Sequence, residues 1–357
     1  MRETSEEHSD THWPEIIGHK SFERSFVEAQ HRDRLHHAWL LTGPKGIGKA
    51  ALALRATAWL MAEDAASGGY GGVDTGFTVA SGDSGAKLVR NGAHPDLNVV
   101  APLKEDNKSG QIKIDQIRAL IPFMMHKPGR AGWRVAIIDS MDEVNRNGAN
   151  ALLKMLEEPP ERTVLFLLSS RPGRLPPTIR SRCRVARLSP LSRDESDDVL
   201  RQIWPDADAE QLKILSILSE GAPGRALMLA ESGAADCYQA ACALLSEDRL
   251  DRAALVTICG KWGKGGAAGK DTRLGATMLI ERLLRLSALR VAGASIPDVC
   301  GFEDRVIDAM SRRHTGQKLA EMQNDFSREA AQADSLYLDF ALFLSRQLTR
   351  FHQKSLP

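Results

Sequence analysis

Three groups of residues have types and spacings suited to chemistry on a phosphate. The first is the octet Gly43-Pro44-Lys45-Gly46-Ile47-Gly48-Lys49-Ala50. Glycines so placed let backbone N–H groups turn onto an anion, and a helix starting there adds favourable partial charge. Gly43, Pro44, Gly46, Gly48, Lys49 and Ala50 are the candidate cradle, with Lys49 reaching the β- and γ-phosphates of a nucleotide. Hydrolytic loops of this kind end on Ser or Thr, whose hydroxyl ligates Mg²⁺, whereas this one ends on Ala50. A chance glycine-rich turn is the competing reading.

The second group is Asp139, which follows the apolar run Val135-Ala136-Ile137-Ile138. An acid at the end of a strand suits a Mg²⁺-side contact, though a turn or cap residue would look the same. Ser140 comes next, where hydrolytic members of this class carry a water-activating glutamate. Glu143 is three residues further on, too far to take its place. The third group is Arg171, Arg174, Arg180, Arg182, Arg184 and Arg187, six arginines in 17 residues with no acid between them. A guanidinium fork binds phosphate oxygens bidentately, so the cluster reads as contact with a neighbour's nucleotide or a nucleic-acid backbone. The alternative is a solvated basic face.

These groups need elements to position them. Ala38 to Thr42 is a short apolar run into the glycine-rich turn and predicts a buried strand, followed by a helix over Ala50 to Met61. Leu97–Val100, Val135–Ile138 and Val164–Leu168 are further strands. Helices are expected over Ile114–Met125, bent or broken at Pro122, and over Asn147–Glu158, stopped by Pro159-Pro160. Alternating strands and helices predict an α/β domain, a parallel sheet with flanking helices, over residues 13–190. Ser67 to Gly85 holds seven glycines in 19 residues and is expected to be a mobile surface stretch of a glycine-rich insertion bounded at 67–92.

Past Pro190 the strands stop. Asp194–Trp204, Ala209–Ser219 and Gly224–Glu231 predict a small helical lid over 191–233, followed by an all-α domain over 234–357. Breaks are expected at Lys261–Gly266 and Pro297, and Leu336, Phe340, Leu344 and Leu348 make one apolar stripe.

Composition narrows the classes. Lys and Arg total 47 against 46 acids, so the net charge of +1 gives no global reason to coat nucleic acid or membrane. Cysteines at 183, 237, 242, 259 and 300 make neither a disulfide scaffold nor a zinc site. Residues 1–12 read as a disordered acidic tail rather than a signal peptide, and no apolar run is long enough for a membrane span. The expectation is a cytoplasmic protein without membrane contact.

Several runs, in order, resemble bacterial DNA polymerase III clamp-loader subunits of the AAA+ family. They are His36-His37-Ala38-Trp39-Leu40-Leu41-Thr42-Gly43-Pro44, His94-Pro95-Asp96, Ile114-Asp115-Gln116-Ile117-Arg118, Gly148 to Pro160 with its Asn-Ala-Leu-Leu-Lys…Leu-Glu-Glu-Pro-Pro core, and Ser181-Arg182-Cys183. The resemblance implies an AAA+ domain of RecA-like α/β form, a lid, and a collar through which a pentamer assembles to load a sliding clamp onto primed DNA. Implied partners are motor subunits of gamma or tau type, a delta subunit, the clamp, and primer-template DNA within the complex.

Two roles in that family compete. One is a motor that binds and hydrolyses ATP; the other is a subunit of similar fold whose nucleotide site is degenerate. Ala50 and Ser140 favour the second, as does an end at 357 without a tau-type extension. By the resemblance, Arg182 is an arginine finger delivered in trans to ATP on a neighbouring motor, and Arg225 holds the lid's sensor position. Trp13 to Gly18 resembles the segment near the adenine. ATP or ADP in the chain's own loop is left open. Relatives commonly carry a four-cysteine zinc module before His94-Pro95-Asp96; that interval has no cysteine here, so no zinc is expected. A DNA-binding module acting alone through the arginine cluster is the third reading.

Overall fold

Five strands alternate with helices in the first half of the chain: β1 (Ala38–Thr42), β2 (Leu97–Val100), β3 (Arg134–Ile138), β4 (Thr163–Ser169) and β5 (Arg184–Arg187). They form one parallel sheet in the order β2-β3-β4-β1-β5. β1, β3 and β4 are buried along their whole length, as continuous apolar runs in a sheet covered on both faces should be. The computed structural model describes residues 16–62, 76–80, 82–102, 111–129, 132–264, 269–336 and 338–354. It divides into two compact units, Met1–Gln202 and Ile203–Pro357.

The helices of the first unit are α1 (Lys20–His31), α2 (Lys49–Leu60), α3 (Ser84–Arg90), α4 (Ile114–Met125), α5 (Arg146–Glu157), the one-turn α6 (Pro177–Arg180) and α7 (Arg193–Ile203), which reaches the boundary with the second. One sheet face carries Leu40, Ile138 and Leu167 and packs under α4, α5 and α6 through Ile117, Leu152 and Ile179. The other carries Trp39 and Phe166, which meet the rings of Phe22 and Phe26 of α1, and Phe26 in turn meets Trp59 of α2 and Phe77.

Phe77 overturns one expectation. The interval 67–92 is not simply a mobile surface loop: Phe77 is 2% exposed, and its N–H donates to Glu23 Oε1 at 2.6 Å. α3 belongs to the same interval and lies directly on the end of α2. A Cβ on Gly85 would come within 2.1 Å of the Met61 carbonyl oxygen. Residues 63–75 and 81 of that stretch, and the N-terminal tail with Trp13, lie outside the described residues.

Pro122 neither breaks nor ends its helix, which runs on to Met125. The missing N–H deprives the Arg118 carbonyl of its helical partner, and the loss of that single bond is tolerated one turn before the helix ends. Besides the short α3 and α6, α1 and β5 went unanticipated. α1 shows its stripe in Phe22, Phe26 and Val27, and β5 is an edge strand whose sequence reads as charge.

The second unit is all α: α8 (Ala209–Ser219), α9 (Pro223–Glu231), α10 (Ala234–Ser246), α11 (Arg252–Trp262), α12 (Lys270–Val291), α13 (Gly301–Arg313), α14 (Gly316–Ser335) and α15 (Phe340–His352). Phe340, Leu344 and Leu348 form a buried stripe on α15, but Leu336 precedes the helix and is 66% exposed. The chain breaks after Trp262 and around Pro297, as expected; residues 265–268 lie outside the described part. No helix among the described residues is long and apolar enough to cross a membrane.

Candidate functional site

β1 ends at Thr42 and α2 begins at Lys49, so the glycine-rich octet is the strand-to-helix turn the sequence requires. Its backbone reverses through left-handed Gly46 and Gly48, at φ 89° and 96°. Gly43 allows the loop to pass Leu188, whose carbonyl oxygen would lie 2.5 Å from an added Cβ. Around Gly48 the space is open, leaving its backbone approachable from outside.

The loop closes on Lys49. Its Nζ donates to the carbonyls of Gly43 and Pro44, both at 2.8 Å, and to Ser170 Oγ at 3.1 Å. Burial pulls the ammonium below the usual lysine range and Lys45 adds to this, while Asp139 and Asp142 oppose it. The loop and its lysine therefore fit the phosphates of a nucleotide. The metal side fits less well: Ala50, second residue of α2, presents only a methyl group.

Asp139 leaves the sheet directly after β3, with its N–H bonded to Val100 C=O at 2.8 Å. Ser140 adopts a left-handed backbone, φ 69° and ψ 58°, and starts a 3₁₀ turn over Met141–Glu143. Within that turn sits Asp142, a residue that sequence reasoning missed. It accepts from Ser169 Oγ and Ser170 N–H, both at 2.6 Å, and from Arg171 N–H at 3.2 Å. Asp142 thus fixes the end of β4 so that Ser170 meets Lys49. The signal lay in strand order: β4 is β1's neighbour, so residues after β4 must flank the loop.

The six arginines are free of acids in sequence but not in space. Arg171 pairs with Glu143 at 3.2 Å, and Arg182 with Glu157 at 2.8 Å. Arg184 lies over the Trp39 ring, 4.7 Å from its centroid, and donates to Ser25 Oγ at 2.7 Å. Arg171, Arg174, Arg180, Arg184 and Arg187 are exposed, while Arg182 is intermediate. Arg182 follows α6, whose Ile179 is fully buried, and its neighbour Cys183 has a thiol that burial pushes up to about 12.

Arg225 belongs to the second unit, near the start of α9, and pairs with Glu220 at 3.2 Å. Burial lowers its pKa and Glu220 opposes the shift. The motif His94-Pro95-Asp96 braces the first unit, since buried Asp96 accepts from Arg134 at 2.8 Å and from Gly129 N–H at 3.0 Å. Among the described residues, no group of three or more His, Cys, Asp or Glu could hold a metal ion.

A parallel sheet in this order, with a phosphate loop after β1, an acid after β3 and a helical second unit, defines an AAA+ module. Its own hydrolytic positions are altered at Ala50 and Ser140. Residues 18–192 match the family described as DNA polymerase III, delta subunit. The chain is 40% identical over 189 residues to DNA polymerase III subunit delta' of Pseudomonas aeruginosa, covering 52% of this chain and 53% of the relative. It is 32% identical to subunit delta' of Escherichia coli, covering 57% of each. Against subunit tau of Escherichia coli it is 27% identical, covering 62% of this chain and 33% of tau. The chain spans about half the length of the delta' relatives it matches.

Proposed function

We propose that the chain is the delta-prime subunit of a DNA polymerase III clamp loader. In this role it is a non-hydrolysing stator, helping motor and delta subunits place a sliding clamp on primer-template DNA. The observation that carries the reading is the loss of both hydrolytic parts beside an intact cradle. Lys49 and the glycines remain, while Ala50 offers Mg²⁺ no hydroxyl and Ser140 offers water no carboxylate. Nucleotide held without turnover is the behaviour such a site supports, with Gly43 to Lys49 on the phosphates and Asp139 alone on the metal side. Greater identity to delta' than to tau supports the same choice.

In this reading Arg182 acts in trans. Placed against ATP on a neighbouring motor, its guanidinium stabilises charge developing on the transferred phosphoryl group, an effect worth about 10³- to 10⁵-fold where arginine fingers have been measured. Arg225 is the lid's sensor arginine, and the second unit supplies the collar. The chain thereby contributes to hydrolysis while performing none.

The competing reading is a motor subunit, favoured by the intact Lys49 and Asp139 and the tau match. Steady-state ATP hydrolysis by the purified chain with Mg²⁺ separates the two. The expected result is no turnover above background, with equilibrium nucleotide binding that Lys49→Ala abolishes. Turnover that disappears in Lys49→Ala would replace the stator with the motor.

A further inference from the structure

We infer that Glu157 is the positioning residue for Arg182, the carboxylate that orients the guanidinium for phosphate on a neighbouring subunit. The inference rests on the reading of Arg182 as a trans finger. Arg182 is held at two points: one terminal nitrogen meets Glu157 Oε1 at 2.8 Å, and the other donates to Thr178 C=O at 3.0 Å. Two of the five guanidinium N–H donors are so engaged, which fixes the plane of the fork and leaves donors for an incoming phosphate. The side chain stays 35% exposed, accessible from outside while directed from within.

Both supports stand on one rigid base. Glu157 is the last residue of α5, and Thr178 belongs to α6. α5 and α6 share an apolar cluster through Leu152, Met155, Leu156 and Ile179, against which Cys183 also packs. The end of α5 is tied to the sheet by a 3.1 Å hydrogen bond between His37 Nε2 and Leu156 C=O. A finger mounted this way is ordered before reaction, so the reacting complex need not order it.

The location of Glu157 breaks a local rule. A helix C-terminus carries partial negative charge, so a carboxylate there is unfavourable, and Glu158 follows directly. Such a conflict calls for a compensating partner, and Arg182 is the partner present. The pair is half exposed, with Glu157 at 50%, so it contributes little to folding stability. Its removal should therefore register in rate rather than in stability.

The test uses the assembled loader, reconstituted with its motor subunits, clamp and primed DNA, and compares Glu157→Gln, Arg182→Ala and the double variant. Glu157→Gln should assemble normally and lower kcat for ATP by about three- to fivefold at unchanged KM, the scale of one partly exposed ion pair. In the Arg182→Ala background the same change should have no further effect. A Glu157→Gln rate at or above the unsubstituted level, or a double variant slower than Arg182→Ala alone, overturns the positioning role. If Arg182→Ala itself hydrolyses at the unsubstituted rate, the finger reading falls, and Glu157 with it.

Discussion

Most of the candidate site turns on single side chains whose surroundings decide what they can do. Cys183 is one: it adjoins Arg182 in a stretch of six arginines, where positive charge would favour a reactive thiolate. Burial instead pushes its thiol up to about 12, because the side chain packs against the apolar cluster under the sheet. The residue thus packs the base on which Arg182 stands and is no activated nucleophile. Iodoacetamide at pH 8 is expected to leave Cys183 of the folded chain unmodified, while denatured chain is alkylated there; peptide mass spectrometry gives the answer. Placement was legible wherever a motif carries its own context, as with Gly43 to Lys49 between a strand and a helix and Asp139 at the end of a strand. Asp142, Ser170 and Glu157 were not, because each acquires its role from a neighbour 27 or more positions away or across an element boundary, as Ser169 and Asp142 do. An acid shortly after a strand signals nothing until the next strand is known to end beside it.

At the scale of elements, legibility followed burial. β1 has the bounds its apolar run predicts, since a strand covered on both faces must be apolar throughout, and the edge strand β2 still shows an apolar run in Leu97, Val99 and Val100. β5 failed the same test: as an edge strand it exposes Arg184 and Arg187, and its sequence shows charge before it shows extension. The glycine-rich interval misled for a different reason. Glycine signals conformational freedom on average, but at a particular position it can mean that another backbone must come close. Gly85 is such a position, on α3, with the Met61 carbonyl 2.1 Å from where a Cβ would be. Because the obstacle is backbone, relief requires α3 to move away from α2, loosening contacts near Phe77 and Trp59. Gly85→Ala is expected to destabilise the first unit by about 1–3 kcal/mol, the cost of overpacking a close contact. Urea denaturation should show a lower midpoint at an unchanged slope; an unchanged midpoint would mean that α3 is not held against α2.

At the scale of the whole molecule, the charge balance of +1 hides two quite different distributions. In the first unit most of the six arginines stay at the surface and Arg134 with Asp96 makes a buried pair, whereas the second unit folds around a larger buried charge network. Arg282, 4% exposed, donates to both oxygens of fully buried Glu303, at 2.9 and 3.1 Å, and Glu303 also accepts from Tyr238 at 2.8 Å. Glu220 extends the network by pairing with Arg225, Arg282 and Arg285. This one network joins the end of α8 to α9, α10, α12 and α13. Burial alone would raise the Glu220 pKa, but Arg285, Arg282 and Arg225 outweigh it and hold the carboxyl below its usual value. A depressed carboxylate pKa contributes stability that is complete above the unfolded value, about 4.3, and is lost as pH falls through the lower folded value. Neutral conditions therefore retain the ion pairs of Glu220, and the fully buried Glu303 is where breaking the network costs most. Glu303→Gln keeps an acceptor for Tyr238 but takes from the buried Arg282 its fully buried, two-oxygen counter-charge and leaves it only the partly exposed Glu220, at an expected cost of about 3–5 kcal/mol. Hydrogen exchange at pH 7, read peptide by peptide, should show protection falling across α10, α12 and α13. Because the network lies wholly within the second unit, β1, β3 and β4 should keep the protection of the unsubstituted chain. Equal loss in both units would mean that they unfold as one body, and protection unchanged in α12 would mean that the ion pair does not hold the second unit together.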